Sequence, residues 1–361
     1  MKGFRLGNDK GSGRVIRHRG PAHMVLCAPT GTGKATDVII PMVLEAEPGE
    51  RSYVFIDPKG QLAAQIAPYL ARMGYRIKIL NPFQILPEAI GPKALRFRGV
   101  EDRVDFDAKL NPMDTLDPYS EAFGADTDNI IDGVVLFENS RDRHWQESAH
   151  EAISGVTMHL KSSFLPHMQD MVEMRRLIAG PSADLRAFCR EALASGDPFT
   201  RDRLARYAEE EPKNANELES ILSTAKTATK FISNGAIARN LKGDGWRFRD
   251  IRKESTAVFL VLPTRHLKSC SKWFGVAIET TLHDLLIEPE EGDLPVLLVA
   301  DEFSQLGRMV SIENAMGLGR GYNLQLFIIV QDLTRLREHY PNSWETFFKV
   351  DPIVKTIFRS Q

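Results

Sequence analysis

Four short apolar runs, each ending in a polar turn, constrain this chain most. They are SYVFIDPKG from Ser52, TAVFLVLP from Thr256, PVLLVADEF from Pro295 and LQLFIIVQD from Leu324. A run without a polar face has nothing to offer water, so each reads as a strand covered on both sides. YRIKILNPF adds another strand, and HMVLC a short one from His23. Helical patterns lie between them. VIIPMVLEAE carries Pro41 as a candidate kink, LAAQIAPYLARMG ends on Gly74, and IENAMGLGRG precedes the last long run. A helix at about 272–287 sets Phe274, Ile278, Leu282 and Leu285 on one face. This alternation is the rhythm of a parallel α/β sheet. IVKTIFRSQ at the chain end reads as one more strand.

The rhythm stops between about residues 115 and 245. NIIDGVVLF, SAHEAISGVTMHLK, ADLRAFCREALAS and LESILSTAKTATKFI are helical in pattern, with no buried strand among them. The expected organisation is therefore an α/β domain of residues 1–114 and 246–361, with an all-α domain, 115–245, inserted into it. A chain of 361 residues with 43% hydrophobic content is long enough for both.

Composition narrows the partners. The formal charge of −2 gives no global basic field for nucleic acid. The densest basic stretch is RFRDIRKES, with Arg247, Arg249, Arg252 and Lys253. It reads more readily as a solvated loop before a strand than as a DNA contact. Cys27, Cys189 and Cys270 are far apart and odd in number, which fits a reduced, cytoplasmic protein. His150-Glu151 lacks the second histidine of a zinc helix and reads as ordinary surface or core. The basic, glycine-rich N-terminus has no apolar stretch behind it, so it is no secretory signal. No run of about 18 apolar residues occurs, so the chain as given does not span a membrane.

The candidate chemistry begins at CAPTGTGKAT, Cys27 to Thr36. Backbone N–H groups at the start of a helix can cradle phosphates. Gly31 and Gly33 permit that backbone, and Lys34 would reach the β- and γ-phosphates. The expected nucleotide-binding residues are Thr30, Gly31, Thr32, Gly33, Lys34, Ala35 and Thr36. Two positions depart from G-x-x-x-x-G-K-[ST]. Ala28 costs little, because Pro29 already shapes the entry. Ala35 removes the hydroxyl that usually ligates Mg²⁺. Thr36 is a weak substitute, since one helical step turns it about 100° away, and water would fill the vacant ligand position. Downstream, Asp301 can hold Mg²⁺ through water and Glu302 can act as general base on the attacking water. Gln331 ends a strand expected to lie beside the loop strand and the DE strand, where it can sense the γ-phosphate or position the water. Arg320, in GLGRGYN, is a candidate to enter a neighbouring subunit's site, with Arg308 a weaker one. Taken singly, these are a glycine turn, an acidic strand end, a polar strand end and a solvated arginine. Together they point to ATP and Mg²⁺.

The same motifs in order resemble the VirD4/TraG family of type IV secretion coupling proteins. APTGTGK with VIIP, FIDPKGQL, the NP turns of KILNPF and LNPMD, VADEFSQLGRM and GYNLQLFIIVQDLTRLREHYP carry the resemblance through most of the chain. Members often carry a small residue after the loop lysine. The resemblance implies a RecA-like P-loop NTPase domain plus an all-α domain, forming a homo-hexamer at the cytoplasmic face of the bacterial inner membrane. It implies an ATPase that recruits and drives relaxase–DNA, single- or double-stranded, or effector cargo into the channel, beside inner-membrane components of the secretion system. By similarity Lys34, Asp301, Glu302 and Gln331 take the roles above. Members usually begin with transmembrane helices and continue past the glutamine strand. Against that pattern the chain reads as a fragment, a truncated gene product or a soluble paralogue. Two alternatives remain: a non-hydrolysing, truncated cargo-binding adaptor, and a DNA translocase of another RecA-like, FtsK-type branch. The helical insertion, DPKG and the NP turns argue against the second.

Overall fold

A computed structural model describes residues 3–9, 11–29, 32–85, 97–135, 143–195, 197–209, 214–243, 245–303, 307–349 and 355–357. By its internal contacts the chain divides into two units. One comprises Met1–Ala108, Phe248–Leu267 and Asp284–Gln361, the other Lys109–Arg247 and Lys268–His283.

The first unit opens with an antiparallel hairpin, β1 Phe4–Asn8 and β2 Val15–His18, with a bulge between Arg5 and Gly7. Its body is an eight-stranded sheet. The strands are β3 Met24–Cys27, β4 Ser52–Ile56, β5 Arg76–Leu80, β6 Val104–Asp105, β7 Thr256–Leu260, β8 Val296–Ala300, β9 Leu324–Val330 and β10 Lys355–Ile357. Their order is β10-β3-β9-β8-β4-β7-β5-β6, and every pairing described is parallel. The four apolar runs supply β4, β7, β8 and β9, each buried at every residue. That is why the sequence shows no alternation there: both faces are covered, and each buried Val, Leu, Ile or Phe adds about 1.5–3 kcal/mol. The chain-terminal strand read from IVKTIFRSQ is the short β10, paired to β3.

The helix after β3 begins as a π-wound segment, Lys34–Ile39, and continues as α1 Ile40–Leu44. Pro41 stands where the winding changes from π to α, just after Ile40 donates its N–H to the Ala35 carbonyl, and it supplies no N–H to the ladder there. α2 Gln61–Met73 is bounded by glycines in the left-handed region, Gly60 at φ 68° and Gly74 at φ 110°. Gly74 donates its N–H to the Ala71 carbonyl and Tyr75 to that of Leu70, closing the helix end.

The second unit is helical: α3 Phe123–Asp132, α4 Arg143–Ser163, α5 Met171–Ala179, α6 Ser182–Ser195, α7 Pro198–Leu204, α8 Ala215–Ala228 and α9 Gly235–Asn240. Asp170 and Asp197 cap α5 and α7 through their carboxylates. α10 Leu267–Leu285 is the helix expected at 272–287. The sequence rhythm gives it to the α/β domain, yet Lys268–His283 groups with the helical unit. Its side chains explain why. Trp273 is fully buried and donates its indole N–H to Asn240 Oδ1 at 2.9 Å. Lys272 donates to the Ala228 carbonyl, and Gly275 lies against the backbone of Gly133. None of these contacts shows in the helix's own apolar periodicity. The unit therefore runs from Lys109 to Arg247 plus this helix, where the sequence suggests 115–245 alone.

Candidate active site

The sheet order gathers the candidate residues. In a parallel sheet all strands point the same way, so their carboxyl ends share one edge. β3, β9, β8 and β4 are consecutive neighbours there, about 4.8 Å apart. β3 leads into the phosphate loop, β9 into Gln331, β8 into Asp301 and Glu302, and β4 into Asp57, Pro58 and Lys59. Cys27 pairs with Val330, and Ala28 donates its N–H to the Val330 carbonyl at 3.0 Å. The first loop residue and the residue before Gln331 are thereby joined. Asp301 donates its N–H to the Ile56 carbonyl, fixing the acidic pair beside the end of β4.

Of the expected loop residues, Thr30 and Gly31 lie outside the described residues. Gly33 takes φ 80°, a conformation that a side chain would strain. The Lys34 ammonium donates to the Ala28 carbonyl at 3.1 Å, so it lies folded back over the loop. Ala35 offers no ligand. Thr36 is turned toward its own loop: its hydroxyl lies 3.1 Å from the Gly33 carbonyl and 3.0 Å from Asp37 Oδ1, and its one hydrogen serves one of them at a time. Thr32 donates to the Pro29 carbonyl at 2.7 Å.

Carboxylates crowd this edge. Asp57 is fully buried and accepts the N–H groups of Gln61 at 3.1 Å and Ala63 at 2.8 Å, capping α2. Burial, with the charge of Asp301 adding to it, pushes its carboxyl up to about 7 against the pull of those N–H groups. Asp301 is also raised, first by burial and then by the charge of Glu302, while Lys34 and Lys59 pull it down. Glu302 is 5% exposed and takes φ 53°, unusual for a residue with a side chain. Its N–H is held by Asp301 Oδ1 at 3.0 Å, and its carboxylate forms an ion pair with Lys59. Among the described residues no group of three or more His, Cys, Asp or Glu side chains is placed to hold a metal ion directly; with Asp57 capping α2 and Glu302 paired to Lys59, Asp301 is the carboxylate here that would hold one through water.

Gln331 is half-buried at the end of β9, on this edge. Arg320 is not. It is exposed in the turn Gly319–Tyr322 that leads into β9, one strand length from Gln331 at the sheet's opposite edge. There its charge adds to burial in lowering His23, at the start of β3, to about 4. Arg320 therefore has no access to the phosphate loop of its own chain. Arg308 is exposed, 4.0 Å from Glu313.

The basic stretch before β7 is solvated in part, with Arg247 and Lys253 exposed, and tied down in part. Arg249 pairs with the buried Asp284 at 3.0 Å. Arg252 is fully buried and donates to the carbonyls of Leu285 and Tyr322 at 2.8 and 2.7 Å. Lys253 bridges Glu290 and Asp293 at 2.5 and 2.8 Å. His150 pairs with Asp132 at 3.1 Å within the helical unit. Sequence reasoning left Asp57 and Lys59 without a role. The signal was there, a charged turn closing a buried strand, as in VADEF.

No described helix is long and apolar enough to cross a membrane. The family described as Type IV secretory system Conjugative DNA transfer matches residues 2–89 and 100–348. The chain is 25% identical over 340 residues to the conjugal transfer protein TraG of Escherichia coli, covering 89% of this chain and 50% of that protein. It is 23% identical over 331 residues to the type IV secretion system-coupling protein VirD4 of Bartonella quintana, covering 89% and 48%. The chain thus spans about half the length of these relatives. Its fold matches the plasmid coupling protein TrwB in complex with ADP and Mg²⁺, at a TM-score of 0.66 and 16% identity, over 96% of this chain and 71% of that one. TrwB with a non-hydrolysable ATP analogue matches at 0.64, 16% identical over 96% and 76%. The fold is the RecA-like P-loop NTPase fold expected from the motifs, and the chain belongs to the Type IV secretory system Conjugative DNA transfer family.

Proposed function

We propose that this chain is the ATP-hydrolysing motor region of a type IV secretion coupling protein, which moves relaxase–DNA or effector cargo into the secretion channel. One observation carries the reading: Lys34, Gln331, Asp301 and Glu302 converge at the carboxyl ends of three neighbouring parallel strands. The names of the relatives, and TrwB with ADP and Mg²⁺, support it.

Loop residues Thr32 to Thr36 present backbone N–H groups to the phosphates, and Lys34 leaves the Ala28 carbonyl to neutralise them. Asp301 would hold Mg²⁺ through water, which would also take the place of the hydroxyl missing at Ala35, and the ion would supply neutralising charge to the phosphates. Glu302 accepts a proton from the attacking water, and Gln331 orients that water. Arg320 reaches a phosphate only in a neighbouring copy, which accords with a homo-hexamer at the cytoplasmic face of the inner membrane, beside the channel's membrane components. The helical unit faces the relaxosome and cargo.

The test is phosphate release from ATP by the purified chain, with and without single- or double-stranded DNA. DNA is expected to stimulate release, and Lys34→Ala to abolish it. A rate no higher than that of Glu302→Gln, with and without DNA, refutes the motor. Ala35, which leaves the loop without its usual Mg²⁺-ligating hydroxyl, favours one second reading, a non-hydrolysing cargo-binding adaptor. Calorimetry separates the two, since adaptor binding to cargo does not change with ATP.

A further inference from the structure

Lys59 stands apart from the nucleotide-binding loop, in the turn between β4 and α2, and its partner is 243 residues away. The contact is an ion pair from Nζ to Glu302 Oε1, with the lysine side chain 38% exposed and the glutamate side chain 7% exposed. We propose that Lys59 is a positioning residue that holds the Glu302 carboxylate in place for proton abstraction. The proposal rests on the reading of Glu302 as general base.

Three features of the contact support it. Glu302 takes φ 53°, and such a backbone persists only where its surroundings enforce it. The enforcing contacts are the Asp301 carboxylate on the Glu302 N–H and Lys59 on its side chain. The carboxylate is also nearly buried, and Lys59 supplies the opposite charge that a buried carboxylate needs. Finally, Lys34 and Lys59 both pull on Asp301, and Lys59 also forms an ion pair with Glu302. The two lysines divide the acidic edge, Lys34 toward the phosphates and Lys59 toward the base. Gly60, next in the chain, takes φ 68° and starts α2, so the turn that carries Lys59 is anchored by the helix behind it.

The test combines steady-state ATP hydrolysis with binding of a fluorescent ADP analogue, in wild type, Lys59→Met, Lys59→Arg, Glu302→Gln and the Lys59→Met/Glu302→Gln double variant. Lys59→Met is expected to lower kcat at least about tenfold, a fraction of what a positioned base contributes, while KM and ADP-analogue affinity stay within about threefold. Lys59→Arg restores most of the rate, because it keeps the charge on Glu302. In the Glu302→Gln background Lys59→Met causes no further loss, since it acts through Glu302. An unchanged or increased kcat in Lys59→Met, an equal further loss in the Glu302→Gln background, or weakened binding of the ADP analogue each overturns the assignment. If Glu302→Gln itself hydrolyses like wild type, the base assignment beneath it fails instead.

Discussion

Asp57 offers a measurable consequence of the crowded acidic edge. It is 1% exposed, and burial with Asp301's charge holds its carboxyl at about 7 instead of 3.8. Between those values the folded protein keeps a proton that the unfolded chain has released. Asp57's contribution to stability is therefore full below about pH 4, falls as pH rises, and levels off above about pH 7. At about 1.4 kcal/mol per pH unit the whole loss is on the order of 4 kcal/mol. Asp57→Asn cannot ionise, so its stability has no such slope. It has a cost of its own: the amide nitrogen faces one of the N–H groups of Gln61 and Ala63, and leaving that donor unpaired costs about 1–3 kcal/mol. Near pH 4 the variant is the less stable protein. Between pH 5 and pH 8 it gains roughly 3 kcal/mol on wild type. Urea unfolding of both proteins at several pH values, with EDTA and without nucleotide, measures that difference and cancels groups they share. A stability difference that stays constant over this range refutes the buried, proton-holding Asp57.

Two further predictions concern the helical unit. A Cβ on Gly275 would lie 2.8 Å from the Gly133 carbonyl oxygen, so Gly275→Ala is expected to lower unfolding free energy by about 1–2 kcal/mol, overpacking outweighing the helix propensity gained; a more stable variant in urea would contradict that crossing. His159 is fully buried against Phe164 and Phe188, with neither ring nitrogen hydrogen-bonded among the described residues, and burial lowers its pKa. Its contribution is lost as pH falls below about 6.5, where the unfolded chain takes up the proton first. His159→Phe is expected to flatten the stability decline between pH 7 and pH 5, and an unchanged slope would rule His159 out as its source.

Much of the fold was legible because burial on both faces leaves a mark in one short stretch. β4, β7, β8 and β9 are apolar throughout for that reason, and Asp301, Glu302 and Gln331 could be found as the polar residues that end them. The Gln331 strand was expected beside the loop strand and the DE strand, and β9 does lie between β3 and β8; the place of β4 beside β8 was not legible, since it follows from a crossover that no local pattern records. The Lys59–Glu302 pair depends on that placement and was missed with it. The same limit explains Arg320, whose distance from the loop follows from which end of β9 it precedes. It also explains Arg249, Arg252 and Lys253, whose charges are taken up by Asp284, by backbone carbonyls and by Asp293, all remote in sequence. The resemblance to coupling proteins rested on motifs in order rather than on their contacts, and the family match agrees with it.

The central claim is that the edge formed by Lys34, Asp301, Glu302 and Gln331 hydrolyses ATP with Glu302 as base. Phosphate release and ATP binding measured side by side in wild type and Glu302→Gln test it most directly. The account expects Glu302→Gln to bind Mg·ATP with wild-type affinity and to release phosphate at least about a hundredfold more slowly. Equal rates of release from the two proteins would contradict it.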